Sequence, residues 1–277
     1  MTRIELVDFP KPWLLFWVAM ALSLGYAVFV FFRKWLGWSR GVQQPSAGDG
    51  DFRRPAGIWF AEVFLHRQLL MLSFSRWLVH MLIFYGFIGL TLLSVVVSVL
   101  RTAGALEMSA TSPRFYLHPN GYIFVKLWGD AFGLMLVLGL AAACVRRLVA
   151  RPAQQVNGQA DVTLLAFLLL VTLSGFGLEG LRLALLPPEI ARYSFAGLFF
   201  RPPGAYSLEQ LRPWLTACWS LHVLIVSAFF AYLPHSKLMH AILAPVVIAM
   251  NASGEQTRED LYWPDMKKHR ATGSPKG

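Results

Sequence analysis

Six of the chain's seven histidines (His66, His80, His118, His222, His235 and His240) lie in or beside long apolar runs; the seventh, His269, belongs to a polar tail. An imidazole in apolar surroundings has to be satisfied, and its chemistry there is proton transfer or metal ligation. His222 and His240 are eighteen residues apart. On one helix that is five whole turns, so both rings would share a face about 27 Å apart along the axis. A catalytic dyad needs hydrogen-bond reach, which this spacing forbids. Two stacked haems, each holding one of these imidazoles, would fit it. Many residue pairs share a helical face, so the spacing is only one indication.

The elements that must position these rings are apolar. The sequence is 56% hydrophobic and 14% charged over 277 residues, against roughly a quarter charged for a soluble domain. Five runs, at about 12–32, 77–100, 122–145, 162–185 and 213–239, are long enough to cross ~30 Å of hydrocarbon as helices. The expected fold is an all-α, polytopic membrane bundle of five transmembrane helices covering 1–250, with a polar tail at 251–277. Arg33, Lys34, Arg40, Arg53, Arg54, Arg67 and Arg76 surround the first loop, and Arg146, Arg147 and Arg151 the third. The positive-inside rule places these loops in the cytoplasm, with the N-terminus outside, the C-terminus inside and the protein in the inner (cytoplasmic) membrane. After His240, "AILAPVVIAM" is too short to span and is broken by Pro245; it is expected at the inner surface or under the bundle. The apolar N-terminal run follows acidic residues and Pro10 without a small-residue cleavage site, and is read as a retained first helix. The +10 charge belongs to these loops, and nothing resembles a nucleic-acid-binding motif. Cys144 and Cys218 form no cluster motif, which argues against an iron–sulfur or zinc site within the chain.

Topology then sorts the histidines by depth. The second helix runs inside to outside and the fifth outside to inside, so His80 and His240 are expected near the inner side. That suits one bis-histidine haem b; the alternative is two interfacial histidines. His222 would be the outer ligand. His66 precedes His80 by fourteen residues, about 21 Å further inward if helical, and cannot share a haem with His222. His118, just before the third helix, is the candidate outer partner; a five-coordinate haem, another ligand or no outer haem are the alternatives. His235, five residues from His240, points to another face and reads as interfacial beside a snorkelling Lys237. Arg76, Lys237 and Arg67 are the inner cations nearest for haem propionates. Toward the outer side, Lys126 and Asp130 are spaced i,i+4 and Glu179 and Arg182 i,i+3. They are either locally neutralised pairs or a proton-linked quinone pocket. Gly175, Gly177 and Gly180 would let a helix or a porphyrin approach closely.

"LHVLIVSAFFAYLPHSKLMH" resembles the last helix of the cytochrome b, or gamma, subunit of respiratory nitrate reductase. "HRQLLMLSFSRWLVHMLIFYGFIGL" with "HSKLMHAILAP" is more similar to the membrane cytochromes b of heterodisulfide-reductase-like and dissimilatory-sulfite-reductase-associated complexes. The resemblance covers roughly 12–250 and implies His80 and His240 on an inner haem b and His222 on an outer one. It also implies a second histidine ten residues beyond His80, where this sequence has Leu90. The implied function is a relay of electrons between the membrane quinone pool and a cytoplasmic iron–sulfur partner subunit. Such a subunit belongs to a quinol/quinone oxidoreductase and is not catalytic toward a soluble substrate alone. The alternatives are a haem-free anchor for a redox partner and a small-solute transporter, which the lack of an internal repeat disfavours.

Overall fold

Long apolar stretches have nowhere to satisfy their backbone in lipid except within a helix, and helices are what these stretches form. The structure, a computed structural model, describes residues 12–39, 59–106, 119–149, 158–186 and 188–252. All regular elements among the described residues are helical. The long helices are α1 (Trp13–Ser39), α2 (Phe74–Leu106), α3 (Pro119–Val149), α4 (Gly158–Leu183) and α5 (Leu208–Tyr232), followed by a shorter α6 (Met239–Ala252). The first five are long and apolar enough to cross a membrane. Trp17, Leu92, Val95, Leu138, Leu170 and Leu221 are exposed on them, a surface that lipid solvates as well as a protein core would. The chain is a multi-pass membrane protein.

The last membrane helix departs from expectation at both ends. It starts at Leu208 rather than near 213 because Ser207 caps it. The Ser207 hydroxyl accepts from the Gln210 amide at 3.3 Å, and the Gln210 side chain accepts from the Ser207 amide at 2.9 Å. This capping box satisfies two otherwise orphaned donors. At the other end α5 stops at Tyr232, and Leu233–His235 form a 3₁₀ turn before α6 begins. Pro234 explains the stop: it lacks an amide donor and its ring crowds the preceding turn. His222 and His240 therefore do not share one uninterrupted helix, and the five-turn count does not fix their faces. Conversely, α6 runs through Pro245, where the sequence suggested a break.

The chain divides into two compact units. One comprises Met1–Val28 and Leu78–Leu233, the other Phe29–Trp77 and Pro234–Gly277. In the first, the neighbours are antiparallel, as their contacts show. A Cβ on Gly86 would meet Leu136 backbone and one on Gly89 the Phe132 ring, so position numbers rise on α2 as they fall on α3. A Cβ on Gly133 of α3 would come 2.6 Å from Phe176 of α4. Between α4 and α5, Phe167 stacks on Tyr232 at 5.3 Å, and Gly175 faces His222.

The second unit is joined by side chains reaching backbone carbonyls. The Lys34 ammonium donates to the Pro234 carbonyl at 2.5 Å, and the Trp59 indole to the Pro245 carbonyl at 2.8 Å. The Trp77 indole donates to the Leu65 carbonyl at 2.8 Å. His66, which precedes the short helix Arg67–Leu72, has φ 46° and ψ 48°. That left-handed conformation is uncommon for a residue with a Cβ.

Candidate functional site

His222 sits fourteen residues into α5, on the side packed against α4. Its Nδ1 lies 2.8 Å from the Ser174 hydroxyl of α4, and Ser174 Oγ also donates to the Val171 carbonyl at 3.0 Å. Beside it, a Cβ on Gly175 would stand 3.4 Å from His222 Cε1, so the ring edge packs close against that turn of α4. Gly180 instead faces the Phe200 backbone, and a Cβ on Gly177 would meet nothing within 4 Å.

The helix register gives the depth of His222. It is level with Ser174 and Gly175 on α4, hence with about Leu134 on α3 through the Gly133–Phe176 approach. Through Phe132–Gly89 and the Phe87–Phe229 ring contact, that level on α2 falls between Phe87 and Ser94. His80 is at least seven residues away from it, roughly 10 Å or more along the axis. His80 and His222 therefore stand at separate depths in the same unit. The α2 stretch level with His222 includes Leu90 and no histidine. His80 is half-buried, with its ring against Phe84 at 6.4 Å and nearly parallel.

His240 belongs to the second unit. It is exposed, and its Nδ1 is hydrogen-bonded to the Lys237 carbonyl. A carbonyl only accepts, so Nδ1 donates and Nε2 is the nitrogen that takes up a proton or a metal. Arg67, Arg76, Lys237 and His235 are exposed in this unit too. His66 is half-buried there, and burial holds its imidazole below the ordinary 6.5. The His240 charge pushes the same way, while a Phe64 backbone hydrogen bond and Glu62 oppose it. His118 lies outside the described residues.

The polar residues of α3 and α4 pair differently from their sequence spacing. Lys126 is buried and ion-pairs with Glu179 on the neighbouring helix. Arg182 also reaches Glu179, at 3.7 Å. Asp130, 3% exposed, turns to the loop after α4. Its carboxylate accepts from the Ala196 amide at 2.7 Å, the Gly197 amide at 3.1 Å and the Ser194 hydroxyl at 3.1 Å. These bonds tie down the 3₁₀ turn Gly197–Phe200, whose Phe200 stacks flat on Phe176 at 5.3 Å. Asp130 thus anchors a loop, while Lys126, Glu179 and Arg182 form a charged group. Glu179 is five residues beyond Ser174 on α4, about 7.5 Å of helical rise from the His222 level. Ser174 and Ser194 escape sequence reasoning; the only signal for Ser174 is a polar residue inside an apolar helix.

Two of the expected haem ligands, His222 and His240, are thus each held through Nδ1. Metal-bound histidines are oriented this way, with one nitrogen bonded to the protein and the other turned to the metal. The residues present fit haem ligation on that ground.

Residues 109–252, more than half of the chain, match the protein family described as nitrate reductase gamma subunit. A subunit of the dihydromethanophenazine:CoB–CoM heterodisulfide reductase of Methanosarcina acetivorans is 28% identical over 236 residues, 81% of this chain and 75% of that one. Its counterpart in Methanosarcina barkeri is 29% identical over 209 residues, 72% of this chain and 67% of that one. The EtfAB:quinone oxidoreductase of Syntrophomonas wolfei is 24% identical over 250 residues, 86% of this chain but 33% of that protein. No solved structure matches.

Proposed function

The chain belongs to the nitrate reductase gamma subunit family, and from that premise we propose that it is the haem-b membrane subunit of a multi-subunit redox complex. Its work is to relay electrons between membrane quinone and a cytoplasmic iron–sulfur partner, from a place in the inner membrane. The observation that carries this reading is His222: a ring inside a membrane helix, held at Nδ1 by Ser174, at a depth distinct from that of His80. The relatives' names support the chemistry, one being a subunit of a heterodisulfide reductase and another a quinone oxidoreductase.

On this reading His80 and His240 are the axial ligands of the inner haem b, and His222 is a ligand of an outer one, with His118 as its second. Haem b, when bound, supplies one-electron transfer to a quinone chemistry that needs two. Arg67, Arg76 and Lys237 are the cations for the inner propionates, and a soluble partner docks near His240 and the basic first loop. Lys126, Glu179 and Arg182 line the quinone site beside the outer level. Glu179 supplies the proton acceptor that quinol oxidation needs, and Lys126 the hydrogen-bond donor to a quinone oxygen. Asp130 serves that site by fixing the loop over it rather than by touching substrate.

The test is spectroscopic. Membranes carrying the full-length chain should show a b-type reduced-minus-oxidised difference spectrum. His240→Ala should remove the inner contribution and His222→Ala the outer one. Absence of b-type absorbance in the unmodified protein contradicts the reading.

A further inference from the structure

The Ser174 hydroxyl has one proton, and two neighbours compete for it. One is the Val171 carbonyl at 3.0 Å, which only accepts; the other is His222 Nδ1 at 2.8 Å, which donates or accepts according to tautomer. The only arrangement that satisfies both contacts has Ser174 donating to Val171 and accepting from His222. Nδ1 then carries the imidazole proton and Nε2 the lone pair. The contact spans two membrane helices, and the ring's Cε1 edge faces Gly175 of the same α4 turn, so α4 fixes both tautomer and orientation.

We propose that Ser174 is the positioning residue of His222: its hydroxyl accepts the Nδ1 proton and so presents Nε2 as the outer metal-binding nitrogen. This rests on the haem reading above, but its first half concerns the protein alone. An acceptor on Nδ1–H makes an imidazole a more basic ligand and favours the oxidised metal. Losing it weakens the ligand and raises the midpoint potential. His240 reaches the same tautomer through the Lys237 backbone carbonyl, which no side-chain substitution removes. Ser174 is therefore the point at which a mutation separates the two sites.

Three measurements on the full-length membrane protein test this. In ¹⁵N-histidine-labelled protein, the His222 resonances, assigned by their loss in His222→Ala, should show a protonated Nδ1. Ser174→Ala should mix the tautomers, and Ser174→Thr should restore them, because a helical threonine hydroxyl can still bond a carbonyl one turn back. In haem titration, S174A should lower outer-haem affinity about 10–100-fold, as loss of a ligand's hydrogen-bond partner commonly does. Whatever outer haem remains should titrate at higher potential, a tenfold shift in its equilibrium being about 59 mV. The inner haem should be unchanged, and S174T should recover the outer one. An unprotonated Nδ1 in the unmodified protein overturns the proposal, as does an S174A protein with unaltered outer-haem affinity and potential. A haem-free unmodified protein with Nδ1 protonated overturns the ligand role and the functional reading together, while leaving the tautomer assignment standing.

Discussion

Lys126 of α3 and Glu179 of α4 are ion-paired across two membrane-spanning helices, and Lys126 is buried. Charges removed from water are tolerated only when paired, and removing Glu179 strands the buried Lys126. Glu179→Leu alone should cost about 3–5 kcal/mol of stability, Lys126→Met less because Arg182 still meets Glu179, and the double replacement should be milder than Glu179→Leu. Thermal unfolding in detergent, arranged as a double-mutant cycle, checks this. Additive losses would mean that the two charges act independently.

Asp130 offers a contrasting case, a buried carboxylate bonded to the Ser194–Gly197 loop. Hydrogen bonds to a charged acceptor are worth about 1.5–3 kcal/mol each. Asp130→Ala should therefore release the turn at Gly197–Phe200, with faster hydrogen exchange at the Ala196 and Gly197 amides. Asp130→Asn keeps one acceptor oxygen and should protect them partly. Unchanged exchange in D130A would show that the loop is held by its apolar contacts instead.

His66 gives the second unit a pH dependence. Burial is the main cause that lowers its folded-state value below 6.5, with the His240 charge adding to it. The unfolded chain then binds the proton more readily than the folded one. Stability is fully present above pH 6.5 and is lost as pH falls through the folded-state value. His66→Gln should flatten that acid limb while leaving stability at pH 8 nearly unchanged. An acid limb of the same steepness in H66Q would assign it to other groups.

The sequence is legible where physics is local and repetitive. Apolar runs of bilayer length announce α1 to α5, and polar residues inside them mark His222, Lys126 and Glu179 as the places to look. The capping box is readable too, as Ser207 followed three residues later by Gln210, yet the apolar run points to 213 instead. Pro234 is visible but reads as a helix leaving lipid rather than as the break that separates His222 from His240. What lies beyond reading is partner choice between helices. Lys126 has Asp130 one turn away in sequence, but Glu179 faces it on α4 and Asp130 meets the Ser194–Gly197 loop. Ser174 is likewise informative only once antiparallel register brings it opposite His222, 48 positions along the chain.

Haem content per purified chain tests most directly whether this protein holds haem at histidines lying at separate depths. The expected result is a b-type spectrum from the unmodified protein, a partial loss in His222→Ala, a complementary loss in His240→Ala, and none left in the double variant. A purified, folded chain without haem, or one whose haem content is indifferent to both substitutions, would contradict it.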